Sequence, residues 1–344
     1  MTFVADDSSQ TLAVTCADVD LCQFSQWHLH FANHSFRCQV IDAPSELLAW
    51  LTNDDGLHLA DSNDLVQRDT RVDDAQDYDD DGWNDALNES TQIDSLPTAF
   101  KDRLRAALHE LGGACFVKLN WSAPRDAAWL IGAHGADFKF TSVDQILMAL
   151  KGSDFIAHDL QHRYEHCVDT RQDSVRLHPP LQVVLKEWRP LQRSSEFRCF
   201  VFQRQLIAMC QRNADTFYEF LPSRSAALAE TVRQFVAGTV APSAFSLNSF
   251  VCDVYVTSAN KVKLIDIGPF GVMTDPILFT WSELASRCCL QASDTPVLMR
   301  VVENELGIRP SLKTVTGLPY DMTLGAVEAC RDVDSLVDQL RSLR

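Results

Sequence analysis

Two neighbouring runs, SFVCDVYV at Ser249–Val256 and KVKLIDIGPFGVMT at Lys261–Thr274, constrain the fold of this chain most. Each is a short β-like run with one acid among apolar neighbours, Asp253 in the first and Asp266 in the second. The segment 257–260 between them is short enough for a hairpin. Side chains two apart in a strand share a face. Strict alternation therefore puts Asp253 with Val251 and Tyr255, and Asp266 with Val262 and Leu264. A carboxylate at a core-facing strand position is costly unless it is paired or bound. Two of them on adjacent strands are the donor set Mg2+ uses, completed by substrate phosphates and water.

Cations recur at the ends of other apolar strands. EFRCFVF (196–202) and QLIAMCQR (205–212) read as a hairpin turning at Gln203-Arg204. Glu196 and Arg198 fall on one face of the first strand, and Arg212 closes the second. Such a Glu and Arg serve either each other or a ligand. Lys118 closes the strand Ala114–Leu119, and Lys186 closes QVVLKEW (182–188). Each lysine is either an edge residue keeping its charge in water or a point charge held against phosphate. Glu187-Trp188 follows directly. That dipeptide is either surface packing or the wall of a base pocket, with backbone reading the base edge and the indole covering its face. No GxxxxGK[ST] loop, helix-opening GxGxxG, glycine-flanked serine elbow or HExxH is present.

The rest of the chain supplies helices and one unusual insert. Phe100, Leu104, Leu108 and Leu111 recur at helical spacing, with Pro97 ahead and Gly112-Gly113 behind. Helices are also expected over 143–150, 223–240 and 275–290, and Pro44-Ser45-Glu46 opens another. Between Thr52 and Asp85 there are twelve Asp and two Arg, so most of the net charge of −17 sits in one disordered, solvated loop. The balance excludes nonspecific nucleic-acid binding, which needs Lys and Arg, and favours a partner with a basic surface. No apolar run approaches a membrane span, and the N-terminus has no signal-peptide pattern. Eleven scattered cysteines without a CxxC pair suit a reducing cytoplasm. The fold class expected is α+β, in five parts. These are 1–51 packed on the lobes, an acidic loop 52–95, lobes 96–186 and 187–290, and a mainly helical tail 291–344.

Longer phrases carry a resemblance. FVKLNWSAPRDAAW (116–129), SDFIAHDL (153–160), EFRCFV (196–201), the hairpin 253–271 and TDPILFTWSEL (274–284) together resemble the cell-division-cycle protein 123 family. The acidic insert and the tail segment 307–322 are similar in character to that family. The resemblance implies an ATP-grasp-like fold with mainly antiparallel sheets and flanking helices, holding ATP and Mg2+ between its lobes. It also implies an assembly chaperone for eukaryotic translation initiation factor 2, acting on the gamma subunit, as a cytoplasmic monomer without substrate turnover. Carried over by position, Lys118, Asn120, Trp121, Arg125 and Asp126 lie near phosphates and ribose. Lys186, Glu187 and Trp188 lie beside adenine, Glu196, Arg198 and Arg212 line the nucleotide, and Asp253 and Asp266 hold metal. Two positions depart from the family. Gly268 stands where DFNPFG has an asparagine ligand, and LKEW has an acid where a second basic residue is common. The competing classes are an ATP-dependent ligase or kinase, and a scaffold with weakened nucleotide binding.

Overall fold

The computed structural model describes residues 12–53, 96–127, 138–170, 179–289 and 296–309. The acidic run from residue 54, Trp129 and the tail beyond 309 lie outside them. In chain order the elements are α1 Cys16–Leu21, α2 Phe24–Phe31, β1 Cys38–Asp42, α3 Ser45–Thr52, α4 Thr98–Glu110 and β2 Cys115–Lys118. Then come α5 Val143–Lys151, α6 Asp154–Gln161, β3 Gln182–Glu187, β4 Glu196–Phe202, β5 Gln205–Gln211 and α7 Leu221–Phe235. The last are β6 Phe250–Val256, β7 Val262–Pro269, α8 Trp281–Cys288 and β8 Leu298–Arg300. The class is α+β, with two mainly antiparallel sheets and flanking helices. No helix among the described residues is long and apolar enough to cross a membrane.

The small sheet runs β1-β3-β2, antiparallel throughout. Its alternation gives it two unlike faces. Cys115, Val117, Val183 and Leu185 pack against Phe100, Leu104, Ile146 and Leu147 of α4 and α5. Lys118, Val184 and Lys186 point the other way, since Lys118 lies opposite Val184 and Phe116 opposite Lys186. Helix α4 buries Phe100, Leu104, Ala107 and Leu108, the stripe its spacing predicts. It stops where Gly112 and Gly113 take φ of +90° and +82°, which glycine adopts without a Cβ clash.

The large sheet runs β7-β6-β4-β5-β8, antiparallel except for the β5/β8 edge. Phe197, Cys199, Met209, Cys252 and Val254 face Leu228, Val232 and Val236 of α7 and the π turn Val236–Val240 that extends it. The β4–β5 turn puts Gln203 and Arg204 at φ 47° and 62°, the handedness a tight hairpin needs. Arg204 fixes that turn in place. Its guanidinium donates to Asn248 Oδ1 at 2.7 Å, Ala241 O at 3.1 Å, Ser243 O at 3.0 Å and also to Phe245 O. It thereby closes the carbonyl end of the α7 segment.

The N-terminal segment does more than lie on the lobes. Its β1 is an edge strand of the small sheet, while Phe24, Trp27 and Phe31 of α2 sit in the core of the large one. The described part of the tail is not helical. Residues 298–300 add a strand beside β5, followed by a 3₁₀ turn at Glu305–Gly307. Three residues of strand leave no alternation to read. The helix expected over 275–290 is shortened to Trp281–Cys288, started by a Thr280–Glu283 capping box.

Candidate functional site

The hairpin carrying the two acids departs from strict alternation at one residue. Val256 pairs with Val262 and Val254 with Leu264, but Asp253 pairs with Asp266. Ile265 is therefore an extra residue, a β-bulge, and every side chain beyond it changes face. Val262 and Leu264 stay in the core with Val254 and Val256. Asp266 instead turns out beside Asp253, so the shared face expected for Asp266, Val262 and Leu264 is corrected. Ile267 returns to the core opposite Cys252. The bulged residue's carbonyl is not wasted: Lys186 Nζ donates to Ile265 O at 2.5 Å.

Register then builds a charged row across three strands, Asp266, Asp253 and Arg198. Arg198 lies opposite Asp253 on one side and Cys210 on the other. Its Nε and Nη2 donate to Asp253 Oδ1 and Oδ2, each at 2.8 Å. Arg212 Nε donates to Asp253 Oδ2, also at 2.8 Å. Burial alone would push the Asp253 carboxyl up, but the two guanidinium groups hold it well below the usual carboxylate range. Across the gap from the small sheet, Lys118 Nζ meets Asp266 Oδ1 at 2.5 Å. Burial brings Lys186 down to about 8, with Asp266 opposing the shift. The Arg212 charge and burial together bring Arg125 down to about 10, partly offset by Glu196 and Asp253. Burial raises Glu196, against the pull of Arg125 and Arg212.

These groups line a cleft of about 980 Å³ between the two sheets. Lys118, Trp121, Arg125, Lys186, Glu187, Trp188, Glu196, Arg198, Arg212, Asp253, Asp266 and Gly268 all border it. Eight Lys and Arg side chains face six carboxylates there, an excess of positive charge in a chain of net −17. Trp188 stands near Phe116, ring centroids 6.5 Å apart, with Lys139 Nζ 4.7 Å from its ring centre. Flat apolar surface beside clustered cations fits a nucleotide.

A divalent cation fits less simply. The facing carboxylates are the hard oxygen donors Mg2+ prefers. Both oxygens of Asp253 are nevertheless engaged by guanidinium groups, and Asp266 Oδ1 receives Lys118 and the backbone N–H of Ile267. At Gly268 there is room for a side chain. A Cβ there would meet Thr274 Oγ1 at 3.5 Å, an ordinary contact.

Two of the expected site residues are occupied elsewhere. Asn120 is buried, donating to Gln23 Oε1 at 3.0 Å and Pro180 O at 2.9 Å, and accepting from Gln182 N at 2.8 Å. Asp126 accepts from Ser153 Oγ at 2.6 Å and Phe155 N at 3.2 Å, at the start of α6. Neither borders the cleft. Trp121 does, while its Nε1 donates to Val19 O at 2.8 Å. Glu187 pairs with Arg189 at 3.1 Å.

Sequence reading passed over Asp159, Arg163 and Asp275, which also border the cleft. Asp159 accepts from Ser122 N at 2.8 Å, and burial pushes its carboxyl up. Arg163 lies over the Trp121 ring at 4.5 Å. The backbone of Asp275 accepts from Arg198 Nη1 at 2.6 Å. The signal for Asp159 was in α6 itself: Phe155, His158 and Asp159 share the i, i+3, i+4 face turned to the cleft.

The translation initiation factor eIF2 assembly protein of Schizosaccharomyces pombe is 36% identical over 321 residues, covering 91% of this chain and 92% of the relative. The protein of the same name from Xenopus laevis is 32% identical over 335 residues, 93% and 94% of the two chains. The solved structure of Cdc123 from S. pombe superposes with a TM-score of 0.67 at 33% identity, covering 85% of this chain and 99% of that one. The family model described as D123 matches residues 27–326, and the chain belongs to the D123 family.

Proposed function

We propose that this protein is an ATP-binding assembly chaperone that promotes formation of eukaryotic translation initiation factor 2 through its gamma subunit. The observation that carries the ATP reading is the cleft. Lysines from one sheet and arginines from the other converge on it beside the half-buried Trp188 indole. In this reading Lys118, Arg125, Arg198 and Arg212 take the phosphates, and Lys186, Glu187 and Trp188 border adenine. Glu196 faces the ribose side, and Asp253 and Asp266 hold Mg2+ against the phosphates. Asn120 and Asp126 act indirectly, by fixing the loop that carries Trp121 and Arg125. The assembly role rests on the relatives, whose names state it. It takes place in the cytoplasm, on a monomer, and needs binding of the nucleotide rather than turnover of a substrate.

Two measurements test the two halves. Calorimetric titration of ATP with Mg2+ into the full chain should give saturable one-to-one heat; none would remove the nucleotide. Affinity capture with the purified chain should recover the gamma subunit under mild salt. Recovery of the alpha or beta subunit without gamma would contradict the partner named here.

A further inference from the structure

The cations of the cleft are not idle, and their engagement sets an order of events. Asp253 receives three charge-assisted hydrogen bonds, two from Arg198 and one from Arg212. Asp266 is held from across the cleft by Lys118. A bare divalent ion approaching this pair meets three positive charges. To bind, it must also strip partners from guanidinium groups that are about four-fifths buried or more. Leaving such groups unpaired in a low-dielectric site is strongly unfavourable. A polyphosphate changes both conditions at once. Its oxygens offer guanidinium and ammonium groups the acceptors they would otherwise lose, in the bidentate geometry arginine favours.

We infer that Lys118, Arg198 and Arg212 keep the carboxylate pair closed to metal until a nucleotide's phosphates draw them away. The nucleotide therefore binds first and without metal, and the divalent ion enters second. This order rests on the ATP reading above and adds to it. The same three cations act twice, as guards of the acids and then as phosphate ligands. Because binding couplings are reciprocal, each ligand tightens the other by the same factor, about 5- to 150-fold for typical couplings.

The full chain can be tested with ATP in EDTA, with Mn2+ alone, and with both. Calorimetry follows ATP. Water-proton relaxation, which is enhanced when Mn2+ is held by a macromolecule, follows the metal. The expected result is ATP heat in EDTA, no enhancement with Mn2+ alone, and enhancement once ATP is added. Mn2+ alone binding as tightly as with ATP overturns the order and leaves the ATP reading standing. So does ATP binding that vanishes in EDTA. No ATP binding under any condition overturns both. Arg212→Gln removes one guard and leaves Asp253 paired with Arg198. Mn2+ alone should stay silent, because Arg198 still engages both Asp253 oxygens, while ATP in EDTA should weaken; unchanged ATP affinity would count against the double role of this arginine. The wild-type titrations decide the order whether or not that variant folds.

Discussion

The three-stranded sheet brings lysines to the cleft, and the five-stranded sheet brings arginines. The lysines reach across: Lys118 to Asp266 and Lys186 to the bulged carbonyl of Ile265. The arginines stay at home: Arg198 and Arg212 both bind Asp253 within their own sheet. Chemistry explains the division. A planar guanidinium matches a carboxylate on the neighbouring strand with two parallel bonds, while a flexible ammonium spans a gap as a point charge. Arginines therefore offset a buried acid, and lysines latch one sheet to the other.

That contrast can be broken by substitution. Arg198→Ala leaves Asp253 with one partner in a site where both groups are 12% exposed, and it also removes a donor from Asp275 O. Urea denaturation should show a loss of about 3–5 kcal/mol, the range for breaking a buried pair from one side. If Lys118→Met costs as much, the division of roles is wrong.

Lys186 gives the pH test. Its folded form releases the proton near pH 8, because burial lowers it from 10.5. The unfolded chain keeps that proton over the same window, so stability rises with pH between the two values. The gain is on the order of 3 kcal/mol. Lys186→Met should flatten this part of the stability–pH curve, and an unchanged slope would assign the rise to another group. Asp253 acts at the other end. Its depressed carboxyl contributes stability above the unfolded carboxylate range that is lost as pH falls through it.

Smaller effects sharpen the picture. Lys118→Met removes one ion pair whose acid is a third exposed, so the stability loss should be about 1 kcal/mol. Its larger effect should be on ATP affinity. Gly268→Asn, with space for its Cβ beside Thr274, should move stability by less than about 0.5 kcal/mol. It should tighten Mn2+ binding in the presence of ATP; no tightening would mean that water already serves at that position.

Much of this arrangement could be read from residue order, because strands and their charged ends are local signals. The hairpin at Gln203-Arg204, the stripe of α4 and the hairpin that carries Asp253 and Asp266 on adjacent strands all follow from short-range pattern. The bulge at Ile265 does not. No glycine marks it, and its one trace is the adjacent apolar pair Leu264-Ile265, which a strand buried on both faces also shows, so strict alternation puts Asp266 on the wrong face. Pairing is set by the partner strand, and residue order does not show the partner. Asn120 and Asp126 mislead for a related reason. They sit in the phrase that carries Lys118 and Arg125, yet distant partners, Gln23, Pro180 and Ser153, claim their polar atoms. The strand at 298–300 shows the same limit, since its partner among the described residues lies some ninety residues earlier.

The central claim is that cations from both sheets hold ATP in the cleft. One calorimetric comparison tests it directly: ATP titrated into the wild-type chain, Lys118→Met and Arg212→Gln, at the same moderate salt. One-to-one binding in the wild type, weakened by each substitution from its own side of the cleft, is the predicted result. Absence of binding, or binding indifferent to both substitutions, would contradict the account.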